Sequence, residues 1–179
     1  LCASLDVAGA PIMVEDCSAD AGGLHANADS VVLSGGKAML SATADGNINI
    51  PEGYSSIYVL TSGTDLVIEA VNTQPEFTVN SAGLYTIHTL VYDGRSDSAN
   101  FLDLSIVSFG STTGVDVLNV VTNAGLCASL DVAGAPIMVE DCSADAGGLH
   151  ANADSVVLSG GKAMLSATAD GNINIPEGY

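Results

Sequence analysis

The residues with the most chemical potential are four cysteines, Cys2, Cys17, Cys127 and Cys142, carried by two copies of one stretch. "LCASLDVAGAPIMVEDC" stands at 1–17 and again at 126–142, and the identity continues so that residues 1–54 recur letter for letter as 126–179. Four cysteines allow three pairings, and a repeat must satisfy every copy in the same way. The midpoint between Cys127 and Cys142 falls between Gly134 and Ala135, just before Pro136, where turn chemistry is expected. A hairpin folded there sets Cys127 opposite Cys142, and Cys2 opposite Cys17. These two short-range disulfides are the favoured reading, in an oxidising compartment. The alternative joins Cys17 to Cys127, stapling the first and last strands of one module and leaving Cys2 and Cys142 to other partners. No His pair accompanies the cysteines to complete a zinc set.

Oxygen donors form the second group. "DGNINIPEG" opens with the D-x-N-x-N start of a calcium loop, but its sixth position is Ile50 instead of Gly and its twelfth is Ser56 instead of Glu. What remains is a partial cage of Asp45, Asn47 and Glu52, set against the simpler reading of a solvated loop between strands. Asp16 with Asp20, and Asp93 with Asp97, are further pairs at which calcium would offset repulsion between acidic modules. Apart from calcium, no cofactor is expected. His25, its copy His150 and His88 lack the spaced Cys, Ser or second His of a triad or metal site. Lys37 sits beside a Ser-Gly-Gly turn, where a lone lysine is solvated rather than crosslinked. No constellation supports an enzyme.

The charge narrows the partners. Acidic residues number 21 against three basic ones, for a net charge of −18, which repels nucleic acid and anionic membrane. Hydrophobic residues make up 47%, enough for a folded core, while aromatics are 4% and Trp is absent, which counts against sugar or base stacking. No apolar run reaches the length of a membrane span, about 18 residues.

These side chains must be held by short strands. "DSVVLSGGKAMLSATADGN" reads as a hairpin around Ser-Gly-Gly. "YSSIYVLTSG", "TDLVIEAVN", "PEFTVNSAG" and "LYTIHTLVYDG" follow at the spacing of an antiparallel sandwich. In the last, Tyr85, Ile87, Thr89 and Val91 share one face, and Thr86, His88, Leu90 and Tyr92 the other. A row such as His88, Leu90 and Tyr92 should not stay exposed. It is the expected assembly face, covered by the connector, a neighbouring module or another filament strand. The connector that follows holds a capping pattern at Thr113 and Asp116, with Gly125 as a stop, so one short helix fits there. The expected fold class is all-β, with Ig-like antiparallel β-sandwich modules in tandem at a 125-residue repeat. Residues 1–17 read as the C-terminal hairpin of a preceding module, 18–142 as a complete module, and 143–179 as the opening strands of a following one. Either the polypeptide continues at both ends, or separate subunits complete each other by strand donation. Residues 1–17 plus 143–179 do not restore 55–125, so simple completion fails.

The stretch "GYSSIYVLTSGTDLVIEAVNTQPEFTVNSAGLYTIHTLVYD", with "TTGVDV" and "CASLDVAGAPIMVEDCSADAG", resembles the Ig-like/PKD-like tandem repeats of large secreted surface proteins of Bacteroidetes-type bacteria. The resemblance implies a sandwich in an extracellular setting, with Tyr85 of "G-x-Y-T-I" as a tyrosine-corner residue. It also implies O-glycosylation at Asp followed by Ser and a small apolar residue, which here means Ser30, Ser98 and Ser155. The function expected is a structural repeat of an extracellular filament, stalk or adhesin-like fibre. Its partners would be adjacent identical modules and covalent glycans. The alternative is a multivalent glycan- or surface-binding array.

Overall fold

The computed structural model describes residues 16–142 and 146–175. Over these residues the chain is mostly β with one short α-helix, and its two larger sheets pack on a shared core as a β-sandwich. The larger sheet has strand order β2 (Ser30–Val32), β9 (Ala135–Glu140), β7 (Gly83–Tyr92), β4 (Ser55–Ser62) and β5 (Val67–Asn72), with β8 (Ser129–Leu130) also on β7. The smaller has order β1 (Leu24–Ala26), β3 (Ala38–Ala44), β6 (Glu76–Val79). Neighbours run antiparallel except β2, which lies parallel to β9 with Ser30 opposite Met138.

The expected turn at Ser-Gly-Gly forms, but the strands beside it part company. Ser34 and Lys37 exchange backbone hydrogen bonds across Gly35 and Gly36, both at positive φ, which suits glycine. β2 then joins the large sheet through β9, whereas β3 joins β1 and β6, so the turn is a corner between sheets.

Alternation on β7 places side chains as expected, yet both of its faces are covered. Tyr85 and Ile87 join Leu60, Ala135, Ile137 and Val139 against Leu24, Leu40, Phe77 and Val79 of the small sheet, filling the sandwich. On the other face Leu90 packs with Val59, Ile68, Leu102 and Val117. Val117 belongs to α1 (Gly114–Ala124), the helix of the connector. Thr113 and Asp116 cap it reciprocally, and Gly125 ends it at φ 64°, as the sequence indicates. The valines of α1 are weak helix formers, so burial against the sheet supplies what propensity does not.

The segment carrying Cys127 and Cys142 is not a hairpin. β9 pairs with β7 from Gly83↔Val139 to Ile87↔Ala135, and β8 pairs with the same strand at Leu90↔Leu130 and Val91↔Ser129. Residues 131–134 bulge between them, and the chain keeps its direction along β7. Gly134 at φ 55° makes the bulge feasible, because a Cβ there would lie 2.6 Å from the Ile87 carbonyl oxygen and 2.7 Å from His88 Nδ1.

Residues 146–175 hold the second copy of the opening strands. β10 (Leu149–Ala151) and β11 (Ala167–Ala169) pair as Leu149↔Ala169, the register of Leu24↔Ala44 in the first copy.

Candidate functional site

Two features of the module bear on function: the end where the chain comes in, and the face covered by α1. At the first, Cys17 is bonded to Cys127 with Cα atoms 5.1 Å apart. This corrects the favoured pairing of Cys127 with Cys142, because strand 129–140 stays extended and puts those two cysteines at opposite ends of β7. Cys142 is exposed as a free thiol, and Cys2 lies outside the described residues. The disulfide sits among further ties. Ala21 N–H donates to Ser129 Oγ at 3.0 Å, Cys127 N–H donates to Asn100 Oδ1 at 3.0 Å, and Asn49 Nδ2 donates to the Ser18 carbonyl. All of this surrounds the Tyr92 end of β7, whereas β9 leaves the sheet at Glu140, beyond Gly83 at the other end. β7 spans eight residue steps from Gly83 to Val91, about 27 Å.

Asp93 closes the same end from inside. It is fully buried and accepts from Arg95 Nε at 2.9 Å, Arg95 Nη2 at 2.7 Å and the Arg95 amide at 3.0 Å. The hydrogen bond from the Arg95 side chain holds its carboxyl well below the usual carboxylate range. The Arg95 guanidinium lies over Gly53, where a Cβ would come within 2.6 Å of it. Asp93 is therefore engaged by Arg95 rather than poised with Asp97 for calcium. Of the partial cage, Asp45 pairs with His25 at 2.7 Å and Asn47 Oδ1 accepts from the Gly23 amide at 3.0 Å. Asp20 Oδ1 likewise accepts from the Gly22 amide. Among the described residues no group of three or more His, Cys, Asp or Glu side chains could hold a metal.

The face expected for assembly is interior. His88 and Leu90 are each 3% exposed, and Tyr92 packs on the same cluster. The connector covers them, which corrects their placement at an intermolecular surface. His88 survives burial because both ring nitrogens are satisfied. Nδ1 donates to the Asp131 carbonyl at 2.8 Å, which leaves Nε2 to accept from the Thr61 hydroxyl at 2.9 Å. Burial pushes its pKa below the ordinary histidine value. Beside it, sheet and helix leave an apolar hollow of about 150 Å³, with Val71, Phe109, Val115 and Val132 exposed at its rim.

Of the residues implied by resemblance, Tyr85 donates its hydroxyl to the Ser81 carbonyl at 3.3 Å, the bond of a tyrosine corner. Ser98 is half-buried and its Oγ accepts from the Asn100 amide, while Ser30 and Ser155 are exposed. Sequence reasoning missed the Asp93–Arg95 pair and the His88–Thr61 contact. Arg95 as the sole arginine, two residues from an aspartate, was the available signal for the first.

No protein-family model matches the chain, and no curated protein matches it in sequence. Among solved structures there is a distant structural match to the PKD domain of human KIAA0319. Its TM-score is 0.30 at 14% identity, over 77% of this chain and 100% of that one.

Proposed function

We propose that the chain is a structural repeat of an extracellular end-to-end array, a filament, stalk or adhesin-like surface fibre, whose complete module is residues 18–142. The observation that carries this reading is the separation of the two ends of the module. The chain comes in at Cys17, braced by Cys127 near Tyr92, and goes out past Glu140 at the Gly83 end. A module that receives and releases its chain at opposite ends advances along an axis instead of doubling back. Identical modules then make identical contacts at each junction. The disulfide suits an oxidising, extracellular setting, and the acidic surface keeps parallel arrays apart.

The test is negative-stain microscopy of a chain extended to three whole repeats. The expected particle is a rod with an axial advance of no less than about 30 Å per module, the length of β7. Compact clusters or strings with random joints would overturn the reading and favour tethered binding modules.

A further inference from the structure

Between the large sheet and α1 the module keeps an apolar hollow of about 150 Å³. Val59, Ile68 and Leu90 of the sheet line one side, and Val117 and Leu118 of α1 the other. All of the lining lies within residues 57–132, so both walls belong to one module and neither involves the second copy of the opening strands.

Protein interiors pack to the density of organic crystals, and an unfilled space costs stability unless its walls can close. A helix free to shift would close this one, but α1 is tied at both ends. Ahead of its first turn, Gly110 N–H donates to the Ile68 carbonyl at 2.8 Å, Ile68 N–H to the Thr112 carbonyl at 2.8 Å and Gly114 N–H to the Leu66 carbonyl at 2.9 Å. Behind its last turn, Cys127 is bonded to Cys17 and its amide donates to Asn100 Oδ1. Held in this way, α1 keeps its distance from the sheet, and its short valine side chains leave the hollow unfilled.

Water is a poor occupant. A buried water needs about two to four polar partners, and the polar side chains in the lining are already engaged. Thr61 donates its hydroxyl to His88 Nε2, and His88 Nδ1 donates to the Asp131 carbonyl. The lining includes no Asp, Glu, Lys or Arg, although the chain carries 21 acidic residues. A charged or strongly polar molecule would therefore lose its hydration there without compensation.

We infer that the hollow is a binding site for an uncharged apolar small molecule, a single aromatic ring or a short alkyl chain. A dry apolar cavity of about this volume takes a molecule the size of benzene. Val71, Phe109, Val115 and Val132, exposed at the rim, extend the surface that an alkyl substituent on such a ring would cover. This site goes beyond the array reading and stands or falls separately from it.

The experiment titrates the full chain, and the chain extended to three whole repeats, with benzene, toluene, ethylbenzene and propylbenzene, followed through 13C-labelled valine and leucine methyl groups. Saturable shifts are expected at Val59, Leu90, Val117 and Leu118, with affinity rising about fourfold for each added methylene. Benzoate, similar in size but charged, should bind at least about a hundredfold more weakly than toluene. The triple repeat should bind with the same affinity per module. Val117→Phe, which fills the hollow from the helix side, should abolish the shifts with circular dichroism unchanged, and the alkylbenzene series on the unaltered chain is decisive should that variant not fold. Shifts that are absent, unsaturable or scattered over other methyl groups would overturn the proposal, as would benzoate binding as tightly as toluene. Binding that the triple repeat loses would overturn it too, because a neighbouring module would then fill the hollow. So would a dimer in sedimentation that Phe109→Ser dissolves, which would make a second copy the occupant.

Discussion

Removing the Cys17–Cys127 disulfide should cost the module more than any single contact. The bond closes a loop with a sequence separation of 110 residues. In the chain-entropy treatment a loop of that length restricts the unfolded chain by roughly 16 cal/mol/K, or about 5 kcal/mol at room temperature. In a domain of this size each kcal/mol moves the melting temperature by about 2–4 °C, so the Cys17→Ser chain should melt about 10–20 °C lower than the unaltered one. The assay is thermal unfolding followed by far-ultraviolet circular dichroism, with and without reductant, on the unaltered, Cys17→Ser and Cys142→Ser chains. Cys142 carries no bond in the structure, so Cys142→Ser should melt like the unaltered chain and remain sensitive to reductant. Cys17→Ser should melt low and be insensitive. The reverse pattern, with Cys142→Ser as the unstable variant, would refute the pairing and restore the hairpin disulfide. Equal melting of all three would refute the loop-closure reasoning itself.

The two copies of one leucine supply a second prediction, in which sequence context is held constant. Leu40→Ala empties a fully buried site and should destabilise by about 2–5 kcal/mol, while Leu165→Ala, at 80% exposure, should stay within about 0.5 kcal/mol by denaturant titration. Equal effects would mean that residues 146–175 are packed in solution. The third concerns pH. Burial lowers the His88 pKa from 6.5, so the unfolded chain binds the proton more readily than the folded one. Stability from this group is complete above pH 6.5 and falls as the pH drops from there toward the depressed folded value, by at most about 1.4 kcal/mol per pH unit. His88→Gln should flatten that slope. Asp93, held ionised by Arg95, keeps its contribution above the ordinary carboxylate value of 3.8 and loses it as the pH falls from there toward the depressed folded value.

How much of this was legible beforehand depends on how local each feature is. The alternation of β7, the reciprocal cap of Thr113 and Asp116, the Gly125 stop and the Ser34 to Lys37 turn rest on neighbours a few residues apart, and each stands where the sequence indicates. The hairpin disulfide is favoured by local turn chemistry at Gly134 to Pro136, whereas the Cys17–Cys127 bond joins segments 110 residues apart, which no local signal reports. Only the pairing of 129–140 along β7 shows that the segment stays straight, with a bulge at Gly134 where a turn was expected. The apolar character of the His88, Leu90 and Tyr92 face calls for cover, but the face lies inside the module and not at the expected assembly surface. Which element covers it depends on where α1 packs, and no period in the sequence carries that.

The molecule contains its own control for this division. Residues 21–50 and 146–175 have one sequence, and both form the Gly-Gly turn and the same antiparallel register, from Ser34↔Lys37 and Leu24↔Ala44 to Ser159↔Lys162 and Leu149↔Ala169. Those features are determined by the sequence alone, because turn residues and nearest-strand pairing act over short separations. Beyond them the copies diverge. β3 runs Ala38–Ala44 where β6 pairs with it, its counterpart shrinks to Ala167–Ala169, and Leu40 is buried while Leu165 is bare. Strand length and burial belong to the tertiary structure, since both require a partner surface distant in sequence, and an apolar side chain leaves water only where such a surface exists.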